Sequence, residues 1–105
     1  MTEQSLLAFV EERIIARFRP LKVILFGSRA RADARPDSDV DLLVVMAGAP
    51  DKRAMAIEMR RSVRDLPLSK DIIVTTPEEI ARRGDMPGSV LRAALREGRV
   101  IFEEL

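Results

Sequence analysis

Apolar residues along this chain follow two rhythms. From residue 2 to residue 19, Leu6, Leu7, Val10, Ile14 and Phe18 recur at steps of three and four, with Glu11, Glu12, Arg13 and Arg17 on the opposite face. This spacing predicts an amphipathic helix over 2–19, opened by Thr2 as N-cap and ended by Pro20. Residues 23–26 are instead continuously apolar and closed by Gly27-Ser28, the pattern of a buried strand. Residues 39–46 predict a second strand, with Val40, Leu42 and Val44 on one face and Asp39, Asp41, Leu43 and Val45 on the other. Between the two strands, residues 28–34 suit one or two helical turns, and Arg35-Pro36-Asp37-Ser38 is turn chemistry.

After Gly48-Ala49-Pro50 the helical rhythm returns. Residues 51–66 predict a long helix whose stripe runs through Met55, Met59, Val63 and Leu66. Ordinary core is the preferred reading of that stripe; the alternative is an adaptable partner surface at Met55 and Met59. Beyond Pro67, residues 70–75 read as a third strand. Residues 77–83 form a short helix, with Thr76 as N-cap and Pro77 at the first helical position. Residues 87–97 give another helix, stopped by Gly98, and 99–102 a final edge strand. Alternating helices and strands predict an α/β or α+β fold, helices covering a small sheet. No repeat or linker divides the chain, so residues 1–105 are expected to form a single domain.

Composition narrows the chemistry by exclusion. The 105 residues include no cysteine and no histidine. Disulfides, thiolate metal sites, Ser-His-Asp catalysis and imidazole-ligated zinc are therefore ruled out. A general base must be a carboxylate, a lysine or the backbone, and a metal must be a hard cation held by oxygen. A formal net charge of +1 gives no footprint of a protein that coats nucleic acid or membrane, and the lack of Trp and Tyr also disfavours direct nucleic-acid binding. No apolar run approaches the ~20 residues of a membrane span, and no signal-peptide pattern opens the sequence, so the cytoplasm is the expected location.

The informative stretch is GSRARADARPDSDVDLLVV, residues 27–45. Residues i and i+2 of a strand point the same way, so Asp39 and Asp41 stand side by side about 6–7 Å apart. Two ionised groups at that distance repel by roughly 2–3 kcal/mol at an effective dielectric near 20, and a divalent cation between them reverses the sign. Such a pair also suits Mg²⁺, which takes one or two carboxylates and completes its shell with water and phosphate. A turn cap beside a solvent-facing aspartate would account for the dipeptide equally well. Gly27 lets the backbone approach a ligand closely, and Ser28 would begin a helix whose N–H groups favour an anion, with Arg29 and Arg31 in its first turn. Ten residues separate Ser28 from Asp39, so the Gly-Ser turn and the aspartate pair would face each other across a hairpin-like unit.

Together, Gly27-Ser28-Arg29-Ala30-Arg31 and Pro36-Asp37-Ser38-Asp39-Val40-Asp41-Leu42-Leu43-Val44 resemble the signature of the polymerase-β-like nucleotidyltransferases. The similarity is greatest to the minimal nucleotidyltransferase branch, which partners HEPN-domain toxins. The resemblance implies a small mixed sheet flanked by helices and a nucleoside triphosphate, expected to be ATP, bound at the Gly-Ser turn. It further implies two Mg²⁺ on an aspartate pair plus a third acidic residue, and transfer of a nucleoside monophosphate to a hydroxyl. Carried over, Gly27 and Ser28 match the triphosphate turn, with Arg29 and Arg31 beside it, and Asp39 and Asp41 match the metal pair. Asp71, opening the apolar run Ile72-Ile73-Val74, fits the third acidic place better than Asp33, Asp37, Asp51, Asp65 or Asp85. One departure stands out: Ala32 occupies a place where the family often has glycine.

The reaction that the resemblance implies is two-metal nucleotidyl transfer, with Asp39, Asp41 and Asp71 as the catalytic and metal-holding residues. Its expected outcome is AMP placed on a protein partner, a HEPN toxin in an antitoxin role. The competing expectation is a non-catalytic module that neutralises such a partner by occlusion.

Overall fold

The computed structural model describes residues 2–31, 35 and 37–104. The N-terminal helix forms where its stripe predicts, but in three pieces: α1 (Glu3–Val10), a π-helical turn (Glu11–Ile15) and α2 (Ala16–Phe18). Thr2 caps it, its Oγ1 accepting the Ser5 N–H at 3.0 Å. In the π turn, the Ala16 N–H reaches back five residues to the Glu11 carbonyl. The extra residue turns both Ile14 and Ile15 inward, which a strict 3.6-residue period would not do. The helix ends at Arg19, in the left-handed region at φ 52, immediately before buried Pro20.

The sheet follows, in the order β3-β2-β1-β4. Strands β1 (Lys22–Phe26) and β2 (Val40–Val45) are antiparallel neighbours, and β3 (Lys70–Thr75) lies parallel to β2 on the far side. Strand β4 (Arg99–Glu103) runs antiparallel to β1 at the other edge, with a bulge that leaves Ile101 between the Ile24↔Val100 and Val23↔Phe102 pairs. A bulged edge offers a poor template for another strand. The sheet is mixed, as the resemblance implied. Parallel strands need a crossover, and here it is α3 (Lys52–Ser62), N-capped by Asp51, whose Oδ1 accepts the Ala54 N–H. The sequence places this helix out to residue 66; the chain instead leaves the helix after Ser62 and makes turns through to Leu66.

Alternation along β2 sorts the core into two layers. Val40, Leu42 and Val44 pack with Val23, Leu25, Ile72 and Val74 against Leu6, Val10, Ile14, Met59 and Val63. Met59 is fully buried, which settles the methionine stripe as core at that position. The opposite layer is thinner: Ile24 and Leu43 pack with Ala94 of α5 (Val90–Glu97), and Phe26, Ile73, Leu91 and Leu95 flank them. The predicted helix over 87–97 is thus shorter at its start, where Ser89 is the N-cap.

Helix α4 (Pro77–Arg83) begins at Thr76 as predicted and carries Glu79 into a polar network at the far end of β3. Glu79 pairs with Lys52, and its Oε1 accepts the hydroxyl of fully buried Thr75 at 2.6 Å. Both interactions hold the Glu79 carboxyl below the usual range, Lys52 first and Thr75 second. A depressed carboxyl contributes stability above its unfolded value and loses it as pH falls through the folded one. Glu79→Gln should therefore cost about 1–2 kcal/mol in urea unfolding at pH 7. Because protonation removes the same charge from the parent, the difference should shrink as the pH is lowered below the ordinary glutamate range.

Candidate active site

Because β1 and β2 are antiparallel neighbours, the end of the first and the start of the second meet at one end of the sheet. Phe26 is paired with Asp41, and Gly27 follows at φ +75. A Cβ at Gly27 would lie 2.3 Å from Asp41 Oδ2. Glycine is required here twice over, by its backbone conformation and by the carboxylate lying directly against it. After it the chain makes one 3₁₀ turn, Gly27–Ala30, and leaves at Arg31 in extended conformation, the Arg31 N–H donating to the Ser28 carbonyl at 3.1 Å. This single turn stands where a helix beginning at Ser28 was expected. The remainder of that span, residues 32–34 with Ala32 among them, and Pro36 lie outside the described residues.

Asp71 is brought in by the parallel ladder. It is the register partner of Asp41, so both side chains leave the same face of the sheet on strands about 4.8 Å apart. That is the face carrying Leu43 and Ile73. Asp39 lies one residue before β2 begins. The charge of Asp39 reaches Asp41, whose carboxyl is pushed up first by burial, then by the charge of Asp71, then by that of Asp39. Asp41 and Asp71 on adjacent strands, and Asp39 just before β2, therefore share one end of the sheet, and Asp41 is the one withdrawn from water.

They are not gathered into a chelating cluster. Among the described residues no three acidic side chains approach closely enough to hold one ion. Asp71 is turned to a partner that the sequence did not suggest: its Oδ1 accepts from Arg60 Nη2 of α3 at 3.3 Å. Both side chains are about half exposed, at 57% and 49%, and such surface pairs contribute about 0–1 kcal/mol. Arg60 and Asp71 lie on different elements, a helix and a strand, and no local motif links them. Arg29, expected beside the phosphates, points its Nε–H at the Ser38 carbonyl, 3.0 Å away. Ser38 itself closes a turn, its N–H bonded to the Arg35 carbonyl and its Oγ accepting the Arg35 N–H.

The donor set suits a hard divalent cation. It offers carboxylate oxygen alone, and the burial of Asp41 among like charges is a cost that a bound cation would offset. A groove of about 390 Å³ lined by Leu21, Lys22, Val45, Pro77, Ile80 and Leu95 lies at the other end of the strands, away from these residues.

Gly27→Ala separates conformation from collision. The backbone strain alone should cost about 1–2 kcal/mol, and contact with Asp41 should add to it. In an Asp41→Ala background only the strain should remain, so a double-mutant cycle in urea should give a coupling well above experimental error.

Comparison with known proteins bears on the family and the fold. The nucleotidyltransferase domain family model matches residues 7–101. No curated protein matches the chain by sequence. Among solved structures, a mutant of the toxin–antitoxin complex MntA-HpeT aligns at TM-score 0.60 and 14% identity, over 99% of this chain and 75% of that one. A toxin–antitoxin structure with AMP-PNP aligns at 0.62 and 17%, over 99% and 75%. A candidate nucleotidyltransferase from Sulfolobus solfataricus aligns at 0.59 and 25%, over 96% and 79%. With its mixed sheet, its Gly-Ser turn and nearly its whole length inside that family's pattern, the chain belongs to the nucleotidyltransferase domain family.

Proposed function

We propose that this chain transfers AMP from ATP to a hydroxyl of a protein partner, and that the partner is a HEPN-domain toxin silenced by the modification in the cytoplasm. The observation that carries the reading is the register of Asp41 with Asp71, with Asp39 just before the strand and the Gly27 backbone against the Asp41 carboxylate. Family membership supports transfer of a nucleotide. The toxin–antitoxin assemblies that share the fold, one of them holding AMP-PNP, support the partner class and the adenine nucleotide.

In this reading Asp39 and Asp41 would hold two Mg²⁺ and Asp71 would complete the ligand set; bound there, the ions would supply neutralisation of polyphosphate charge and a lower pKa for a nearby hydroxyl. The remaining work falls to the chain itself. Ser28, Arg31 and backbone N–H groups of the 3₁₀ turn orient the β- and γ-phosphates. Asp71 takes the proton from the acceptor hydroxyl as that oxygen bonds to the α-phosphorus and the bond to pyrophosphate breaks. No histidine competes for the role. Arg60 must release Asp71 first, and an exposed ion pair is weak enough to permit it.

The engagement of Asp71 by Arg60 also favours a second reading, a module that silences its partner by occlusion with the carboxylates idle. Incubating the chain and its partner with labelled ATP and Mg²⁺ separates the two. Covalent label on the partner supports transfer, whereas protection without label supports occlusion.

The charge on Asp41 generates two predictions. Asp41→Asn should abolish labelling of the partner while leaving the circular dichroism spectrum unchanged. Without divalent cation at pH 7, the same variant should melt above the parent, because a carboxyl pushed up by burial and like charges destabilises the fold when ionised. Added Mg²⁺ should raise the parent's midpoint and not the variant's.

A further inference from the structure

We infer that Arg29 is a positioning residue for Asp39 and not a phosphate contact. Its Nε–H donates to the carbonyl of Ser38 at 3.0 Å, and Ser38 is the residue immediately before Asp39. That bond ties the 3₁₀ turn after β1 to the segment that enters β2. Downstream, the same segment is fixed by the Val40 N–H, which donates to the Ser69 carbonyl at 2.8 Å. Asp39 lies just outside the strand, between the Val40 anchor and Ser38, which is held both by Arg29 and by its own turn with Arg35. The Val40 anchor belongs to the sheet; the Arg35–Ser38 turn is local to the segment, and the Arg29 bond is what joins that segment to the turn after β1. Arg29 is half-buried, so its stem is fixed by packing as well as by the hydrogen bond.

A nitrogen engaged by a backbone carbonyl is not available to a phosphate oxygen, and the fork's geometry restricts where the rest of the guanidinium can point. Arg29 thus sets the distance between the Gly27–Ser28 turn and the first carboxylate, which is the span that a metal-bound triphosphate has to bridge. This role rests on the proposed reading of Asp39 and Asp41 as metal ligands.

Charge and geometry predict opposite outcomes for its removal. Deleting a cation beside a cation site should tighten metal binding if only the field matters. Deleting the brace should weaken it, by about tenfold for a group that orients a ligand without touching the ion. The experiment is Mn²⁺ binding to the full chain, read by the electron paramagnetic resonance of free Mn²⁺, for the parent and for Arg29→Met. Backbone amide exchange over residues 38–40 is measured on the same metal-free proteins. Weaker Mn²⁺ binding with faster exchange confined to 38–40 is the expected result. Unchanged or tighter binding, or unchanged exchange, overturns the inference. If Arg29→Met does not fold, Arg29→Lys, which keeps stem and charge but has no Nε–H, is read by the same two measurements. A parent chain that binds no Mn²⁺ would instead sink the reading of the aspartates as ligands, and the exchange result would still decide whether Arg29 holds the segment.

Discussion

The parallel ladder between β2 and β3 sets Asp41 opposite Asp71, and the rest of the site is arranged around that pairing. Side chains alternate along a strand, so a slip of one residue would turn every β3 side chain to the other face. Ile72 and Val74 would then lose the layer formed with Val23, Leu25, Leu42 and Val44 beneath the helices, and Asp71 would enter it. Burying an unpaired carboxylate there costs several kcal/mol, and each displaced aliphatic side chain costs about 1.5–3 kcal/mol. The register that places two like charges side by side is thus enforced by apolar residues that take no part in the chemistry. Crossover helix α3 contributes to both sides of this balance. Its Met59 lies in the core, and one residue on its Arg60 reaches the acidic edge.

The site itself, by contrast, is poorly supported. Asp41 is withdrawn from water beside two negative groups, and nothing among the described residues cancels its charge directly. Its position is held by backbone: the ladder on one side and Gly27 on the other. The cations that are present serve elsewhere. Arg60 lies on Asp71, and Arg29 reaches the carbonyl before Asp39. Repulsion between neighbouring carboxylates is roughly 2–3 kcal/mol, and the apolar layer beneath the helices has to offset it. In a domain whose total stability is of the order of 5–15 kcal/mol, that is a substantial fraction kept in reserve for whatever binds.

Much of this was legible before any coordinates. Thr2 and Thr76 carry cap chemistry and sit at the helix starts it predicts, and β3 falls on residues 70–75 as read. The coincidence of Gly-Ser and Asp-x-Asp at two strand ends also pointed to one end of the sheet. What escaped depends on information that no local pattern holds. The π turn at Glu11–Ile15 leaves the helical period nearly intact and shifts it by one residue, which makes Ile15 core. Residues after Ser28 have helix-compatible composition, yet the chain leaves at Arg31 because Ser28–Arg31 closes a single turn. Arginine beside a glycine turn reads as a phosphate contact, and only tertiary structure shows the Ser38 carbonyl within its reach. Arg60 and Asp71 are eleven positions apart on different elements, so their meeting follows from the crossover alone.

The two faces of the sheet differ in how they are covered, and that difference bears on the proposed transfer. One face is covered by α1, the π turn, α2 and α3 and closes over residues from Leu6 to Leu66. The other is covered chiefly by α5, whose Ala94 packs on Ile24 and Leu43. By alternation, Asp41 and Asp71 project from this thinner side, one step beyond Leu43 and Ile73. The groove of about 390 Å³ lies at the opposite strand ends, away from this side. If a protein hydroxyl is the acceptor, as proposed, it reaches the aspartates from this thinner side, and the selectivity for that hydroxyl follows from the fit of two surfaces.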